Sequence, residues 1–127
     1  VQKQIEKTKA ALAKNNGLTL ILALSYGGRT EIVEAVREIA TKVKSGAIEP
    51  AEINEQMFAQ HLYTRPWPDP DLLIRTSGEM RVSNFLLWQI SYAELVVTQT
   101  LWPDFRKAQF NEALEEYTRR HRRFGAV

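Results

Sequence analysis

Residues 18–44, LTLILALSYGGRTEIVEAVREIATKVK, pass from one hydrophobic period to another across a glycine turn. Residues 18–25 form an unbroken, mostly apolar run of strand length, with Gly17 before it and Gly27-Gly28 after it. A run without polar alternation suits a strand covered on both faces, so it predicts a buried strand of a parallel sheet. Beyond the turn, Ile32, Val36, Ile39 and Val43 recur at helical spacing and predict a helix over 30–44 with one stripe turned to a core. Ser45-Gly46 ends it. Strand, glycine turn and helix together are the opening unit of an α/β fold.

The pattern repeats outward. Residues 2–14 predict a mostly polar surface helix stopped at Asn15-Asn16-Gly17. Pro50 opens a third helix with Ile53, Met57, Phe58 and Leu62 on its inner side. The stretch TRPWPDPD, residues 64–71, is a proline-rich connector. Residues 72–74 predict a second strand, and 94–98, ELVVT, a third by β-branched content. Between them, 83–93 read as a compact buried helix capped by Ser83 or Asn84. Asp104 is the expected cap of a last helix whose inner stripe is Phe110, Ala113, Leu114 and Tyr117. The expected fold class is α/β, a parallel β-sheet flanked by helices. Three strands make a thin sheet, so residues 1–127 read as the C-terminal portion of a single larger domain. A chain that opens at Val1 within a helical pattern adds to that expectation.

Composition narrows the function classes. Apolar residues make up 44% and charged residues 25%, ordinary globular values that argue against wholesale disorder. A net charge of +2 is too small for a nucleic-acid footprint. With no cysteine, disulfides, thiolate catalysis and cysteine–zinc sites are excluded, and a reducing cytoplasmic location is compatible. The longest apolar run, at 18–24, is far too short to span a bilayer.

In a parallel sheet, ligands bind beyond the carboxyl ends of the strands. After the first predicted strand comes YGGR at 26–29, where glycines permit close approach and a helix N-terminus favours an anion. Plain loop geometry is the commoner meaning of such a turn. After the second comes RTSGEMRVS at 75–83. Arg75 and Arg81 each offer a planar donor fork suited to phosphate oxygens, and Ser83 adds a hydroxyl at an expected helix start. The competing reading makes the two arginines loop fasteners, paired with Glu79 or Glu94. Glu94 in turn should face either an arginine or a metal-bound substrate. His61 and His121 stand apart and read as surface residues, and RRHRR at 119–123 as a basic helix end.

The segments ALSYGGRTEI, PDLLIRTSGEMRVSNFLLWQISYAELVVTQTLWPDF and RRFG resemble the C-terminal half of cis-prenyltransferases of the undecaprenyl diphosphate synthase type, over about residues 18–125. The resemblance implies a transferase that condenses isopentenyl diphosphate onto an allylic diphosphate such as farnesyl diphosphate. It implies magnesium, a homodimer, a hydrophobic tunnel for the growing chain and a cytoplasmic enzyme in peripheral contact with membrane. By similarity, Arg75, Arg81 and Ser83 hold the isopentenyl diphosphate. Glu94 matches the glutamate of the magnesium and diphosphate site. Arg123 and Gly125 match an arginine-x-glycine tail that completes the partner subunit's site, and Leu18 matches a position deep in the tunnel. The family's aspartate–glycine–asparagine–glycine–arginine loop, which positions the magnesium, is absent, so the chain alone is expected to be inactive. Ser25 replaces a usual asparagine, and Met80 stands where some relatives carry a polar residue. Two other readings stay open: a non-catalytic accessory subunit of a two-component enzyme, and a diphosphate-binding regulatory domain.

Overall fold

The computed structural model describes residues 2–120. Among the described residues four α-helices are formed: α1 (Gln2–Leu12), α2 (Gly28–Lys44), α3 (Glu55–Ala59) and α4 (Lys107–Thr118). Two strands, β1 (Leu72–Arg75) and β2 (Glu94–Val97), pair in parallel with Leu72 opposite Glu94 and Arg75 opposite Val97. The connection between them is residues 76–93. Helix α4 follows β2 and packs against it, while α3 packs on α2.

The parallel sheet flanked by helices is as expected, with two strands rather than three among the described residues. Residues 18–25 form no strand with any other described segment, and Leu18, Leu20, Ile21, Leu22 and Leu24 are exposed. An apolar run becomes a strand only when a neighbouring backbone accepts and donates along its edge. No described segment lies in that position. Residues 83–93 form a chain of tight turns instead of a helix. Ser83, Asn84 and Leu86 there have φ of 47°, 63° and 45°, left-handed values that interrupt any right-handed helix. The helix expected from Pro50 divides into a 3-10 turn (Pro50–Glu52) and the short α3, which Asn54 caps by accepting the Met57 N–H (2.9 Å). Asp104 belongs to another 3-10 turn (Trp102–Asp104), and the cap of α4 is Arg106, whose N–H the Gln109 side chain accepts.

The core is small. Ala35 and Ile39 of α2, Leu62, Val96 of β2 and Ala113 of α4 are the buried apolar residues. At its centre lies a carboxylate the hydrophobic pattern did not reveal. Glu31, 1% exposed, accepts from the Tyr26 hydroxyl (2.5 Å), the Tyr63 N–H (2.7 Å) and the Gln89 side-chain amide (3.2 Å). Those bonds replace the water a buried carboxylate loses. They also turn α2 so that Glu31, Ala35 and Ile39 face inward, leaving Val36 of the expected stripe about half exposed. In α4 likewise, Ala113 is buried whereas Phe110 and Leu114 are exposed. Aromatic contacts close the region: Phe58 lies 4.5 Å from Trp88, and Tyr26 meets Phe85 edge to face at 5.7 Å.

Candidate functional site

The site is built where β1 ends. The parallel ladder continues past the strands, because Thr98 N–H donates to Arg75 (2.9 Å) and Gly78 N–H donates back to Thr98 (2.9 Å). Ser77 N–H reaches Thr100 (3.0 Å), so the 76–78 turn is pinned to the backbone following β2. Gly78 has φ of 67°, and a Cβ there would fall 2.4 Å from the Gln99 side-chain oxygen. The left-handed backbone is what favours glycine here, since the Gln99 side chain could swing away from a Cβ.

That pinned turn aims two guanidinium groups at one place. Arg75, half-buried, and Arg81, two-thirds exposed, both pair with the carboxylate of Glu79, Arg81 at 2.5 Å. The Arg75 guanidinium, first, and the Arg81 charge hold the Glu79 carboxyl below its ordinary range, against a desolvation effect that raises it. Arg75 Nε is buried and unpaired, so the inner fork keeps a donor in hand. Ser83 lies exposed at the end of the same loop. Arg75, Arg81 and Ser83 therefore share one loop, and Glu79, one of the two carboxylates weighed as an arginine partner, gathers both forks.

The glycine turn before α2 does something other than expected. Gly28 N–H donates to the Asn84 carbonyl (2.8 Å), and Arg29 N–H donates to Asn84 Oδ1 (2.9 Å). The N-terminus of α2 is thus filled by the other loop and is not left open to an anion. A Cβ on Gly28 would lie 3.2 Å from the Asn84 carbonyl oxygen and 3.0 Å from the Leu87 side chain. The close approach that the glycines permit is between two loops of one chain. Asn84, expected to cap its own segment, caps a helix 55 residues away.

Glu94 is placed apart from the arginine loop. Its register partner is Leu72, three residues before Arg75 along β1, a separation of roughly 10 Å at strand rise. Its carboxylate pairs with Arg120 at 3.0 Å. Glu94, first, and Glu116 raise the Arg120 pKa further above its ordinary value. The arginine partner expected of Glu94 exists, but it comes from the end of α4 and not from the cradle. No group of three or more Asp, Glu or His side chains able to hold a metal occurs among the described residues. A magnesium ion takes only one or two carboxylates besides phosphate and water oxygens, and Glu94 is the described carboxylate that the resemblance assigns to such an ion. Leu18, 96% exposed, lies in the unpaired run and lines a groove of about 540 Å³ with Ile5 and Leu12 of α1. A second groove, of about 420 Å³, runs between that run and the loops, lined by Ile21, Leu24, Tyr26, Trp67 and Phe85 among others. Arg123 and Gly125 lie outside the described residues. No described helix is long and apolar enough to cross a membrane.

Sequence reasoning missed Glu31, Asn84 and Arg120. Arg120 stood within a basic run read as a solvated helix end, and Glu31 within the polar face of α2. Asn84 carried a signal, since asparagine tolerates left-handed backbone better than most residues.

Comparison with known proteins gives the family of the chain. The family profile described as "Putative undecaprenyl diphosphate synthase" matches residues 1–125. An isoprenyl transferase of Bacillus subtilis is 51% identical over 123 residues, 97% of this chain and 47% of that protein. A ditrans,polycis-undecaprenyl-diphosphate synthase of Escherichia coli is 50% identical over 127 residues, all of this chain and 50% of that protein. Lavandulyl diphosphate synthase of Lavandula x intermedia, solved in complex with dimethylallyl diphosphate, superposes with a TM-score of 0.91 at 46% identity, covering 98% of this chain and 53% of the other. A probable undecaprenyl diphosphate synthase of Campylobacter jejuni gives 0.77 at 35% identity, covering 98% and 55%. The chain spans about half the length of the curated relatives it matches.

Proposed function

Because the chain belongs to the undecaprenyl diphosphate synthase family, we propose that its 75–83 loop anchors the diphosphate of isopentenyl diphosphate in a cis-prenyl transfer. The acceptor in this reading is an allylic diphosphate such as farnesyl diphosphate, and the product a long-chain polyprenyl diphosphate. The carrying observation is the convergence of Arg75 and Arg81 on a single anion, the Glu79 carboxylate. Guanidinium forks held toward one point match a diphosphate, which offers more charge and more acceptor oxygens than a carboxylate. The partly exposed Glu79 pairs are worth little as fasteners, because solvent screens them. Their value is to keep the forks side by side before the substrate arrives.

Chemically, such an anchor lowers the barrier through position. It fixes one end of the isopentenyl substrate so that its double bond is presented to the allylic carbon, and it spends no group on bond breaking. Arg75, on the rigid end of β1, sets the depth of the diphosphate, Arg81 closes over it and Ser83 adds a hydroxyl donor. Ionisation of the allylic partner requires charge neutralisation of its leaving group. No step here is assigned to a metal, and Glu94 is proposed as one carboxylate ligand of a magnesium ion whose other ligands lie elsewhere. Activity of the chain by itself is accordingly not part of the proposal. Residues 1–127 are proposed as the C-terminal portion of one domain, working in a homodimer whose tail residues Arg123 and Gly125 serve the partner's site.

Kinetics of the full-length protein test the anchor. Arg81→Ala should raise the KM for isopentenyl diphosphate at least about tenfold, the loss expected for a charge-assisted bond. The KM for the allylic diphosphate should hold. Equal weakening of both substrates would remove the anchor reading. Truncation before Arg123 should lower turnover, and an unaffected truncated enzyme would reduce the tail to a helix end.

A further inference from the structure

The geometry points to Asn84 as a positioning residue that ties the arginine loop to the N-terminus of α2 and so sets where Arg81 and Ser83 stand. The inference rests on the anchor reading above and extends it to a residue that touches no substrate.

Two bonds between the loops pass through this residue. Gly28 and Arg29 supply two of the N–H groups that a helix cannot satisfy within itself, and Asn84 accepts both, one on its carbonyl and one on Oδ1. Asn84 does so at φ of 63° and its neighbour Ser83 at 47°, so the loop takes two left-handed residues in succession to arrive there. The loop is held at its other end by Ser77 and Gly78, bonded to Thr100 and Thr98. Residues 79–83, which carry Arg81 and Ser83, therefore span two fixed points. One belongs to the sheet and the other to a helix end. Gly28 is needed for the second point, because a Cβ there presses on the Asn84 carbonyl and on Leu87. Loss of the Asn84 side chain removes the Arg29 bond, keeps the Gly28 bond to the backbone carbonyl, and so loosens one end of the span while leaving the sheet end in place.

Hydrogen exchange and kinetics on the full-length protein decide the matter. Asn84→Gly removes the acceptor while keeping a residue at ease in left-handed backbone. Exchange at Arg29 and across 79–83 should quicken about fivefold, the loss of one helix cap, with β1 and β2 amides unchanged. The KM for isopentenyl diphosphate should rise by about the same factor, with kcat and the allylic KM held. Asn84→Asp, which keeps an oxygen in place, should restore protection at Arg29. Unchanged exchange over 79–83 in Asn84→Gly overturns the inference. So does faster exchange spread evenly over the whole protein, or a fall in kcat at constant KM. Failure of the anchor reading would appear separately, as an Arg81→Ala protein with the parental KM, and the exchange result would still decide the coupling.

Discussion

Residues 18–25 carry five large aliphatic side chains and make no strand pair among the described residues, whereas β1 and β2 carry three each and form a parallel ladder. Hydrophobicity therefore does not separate them. Backbone supply does. β1 and β2 have each other in register over four residues, and turns at both ends prolong the match: Glu94 N–H donates to Asp71, and Thr98 N–H donates to Arg75. Residues 18–25 have apolar side chains to bury and no neighbouring edge to bind. The same physics gives one region a fixed loop able to hold charged groups and leaves the other as an exposed wall of two grooves.

The sharpest way to break this contrast is at the ladder. Val96, 3% exposed in β2, becomes an unpaired buried charge in Val96→Asp, and a loss of more than about 4 kcal/mol is expected in urea unfolding. A variant near parental stability would show that the strand pair is not what organises the fold. Glu31→Ala should cost about 3 kcal/mol in the same measurement, since it orphans the Tyr63 N–H and the Gln89 amide. Leu62→Ala, at a fully buried position, should cost about 2–5 kcal/mol. Leu20→Ser in the exposed run should by contrast stay within about 0.5 kcal/mol and improve solubility. A loss of more than about 1 kcal/mol there would mean that residues 18–25 are covered in solution.

The smallest expected effect concerns pH. The Glu79 pKa is lowered by its arginines, so its pairing stabilises the folded loop above the ordinary value of 4.5 and is lost as pH falls through the lowered one. Glu79→Gln should flatten that acid limb of a stability profile and leave the profile near neutrality unchanged. An acid limb identical in the two proteins would remove Glu79 as the gatherer of the arginine forks.

Much of this was legible beforehand, for identifiable reasons. α2, β1, β2 and α4 follow from periodicity and β-branched content, which are local properties. The sequence singled out the arginine loop because two guanidinium groups between apolar segments need an anionic partner, and it left open whether that partner is Glu79, Glu94 or a ligand. Residues 83–93 were misread because an apolar run with helical spacing gives no sign of three left-handed residues, a choice made by Asn84 reaching α2. Glu94 was expected to face either an arginine or a metal-bound substrate, as a carboxylate entering a buried strand. The parallel register sets it at the opposite end of the strand pair, beside Arg120.

By itself, then, the sequence determined the class of fold and, through the resemblance of its motifs, the family, and it singled out the loop proposed as the diphosphate anchor, since these rest on patterns within short segments. The tertiary structure alone decided which apolar run became a strand, which carboxylate gathered the arginines and which residue capped α2. Each of those outcomes depends on a hydrogen-bonding or charged partner brought close in space, and no local pattern states whether that partner will be there.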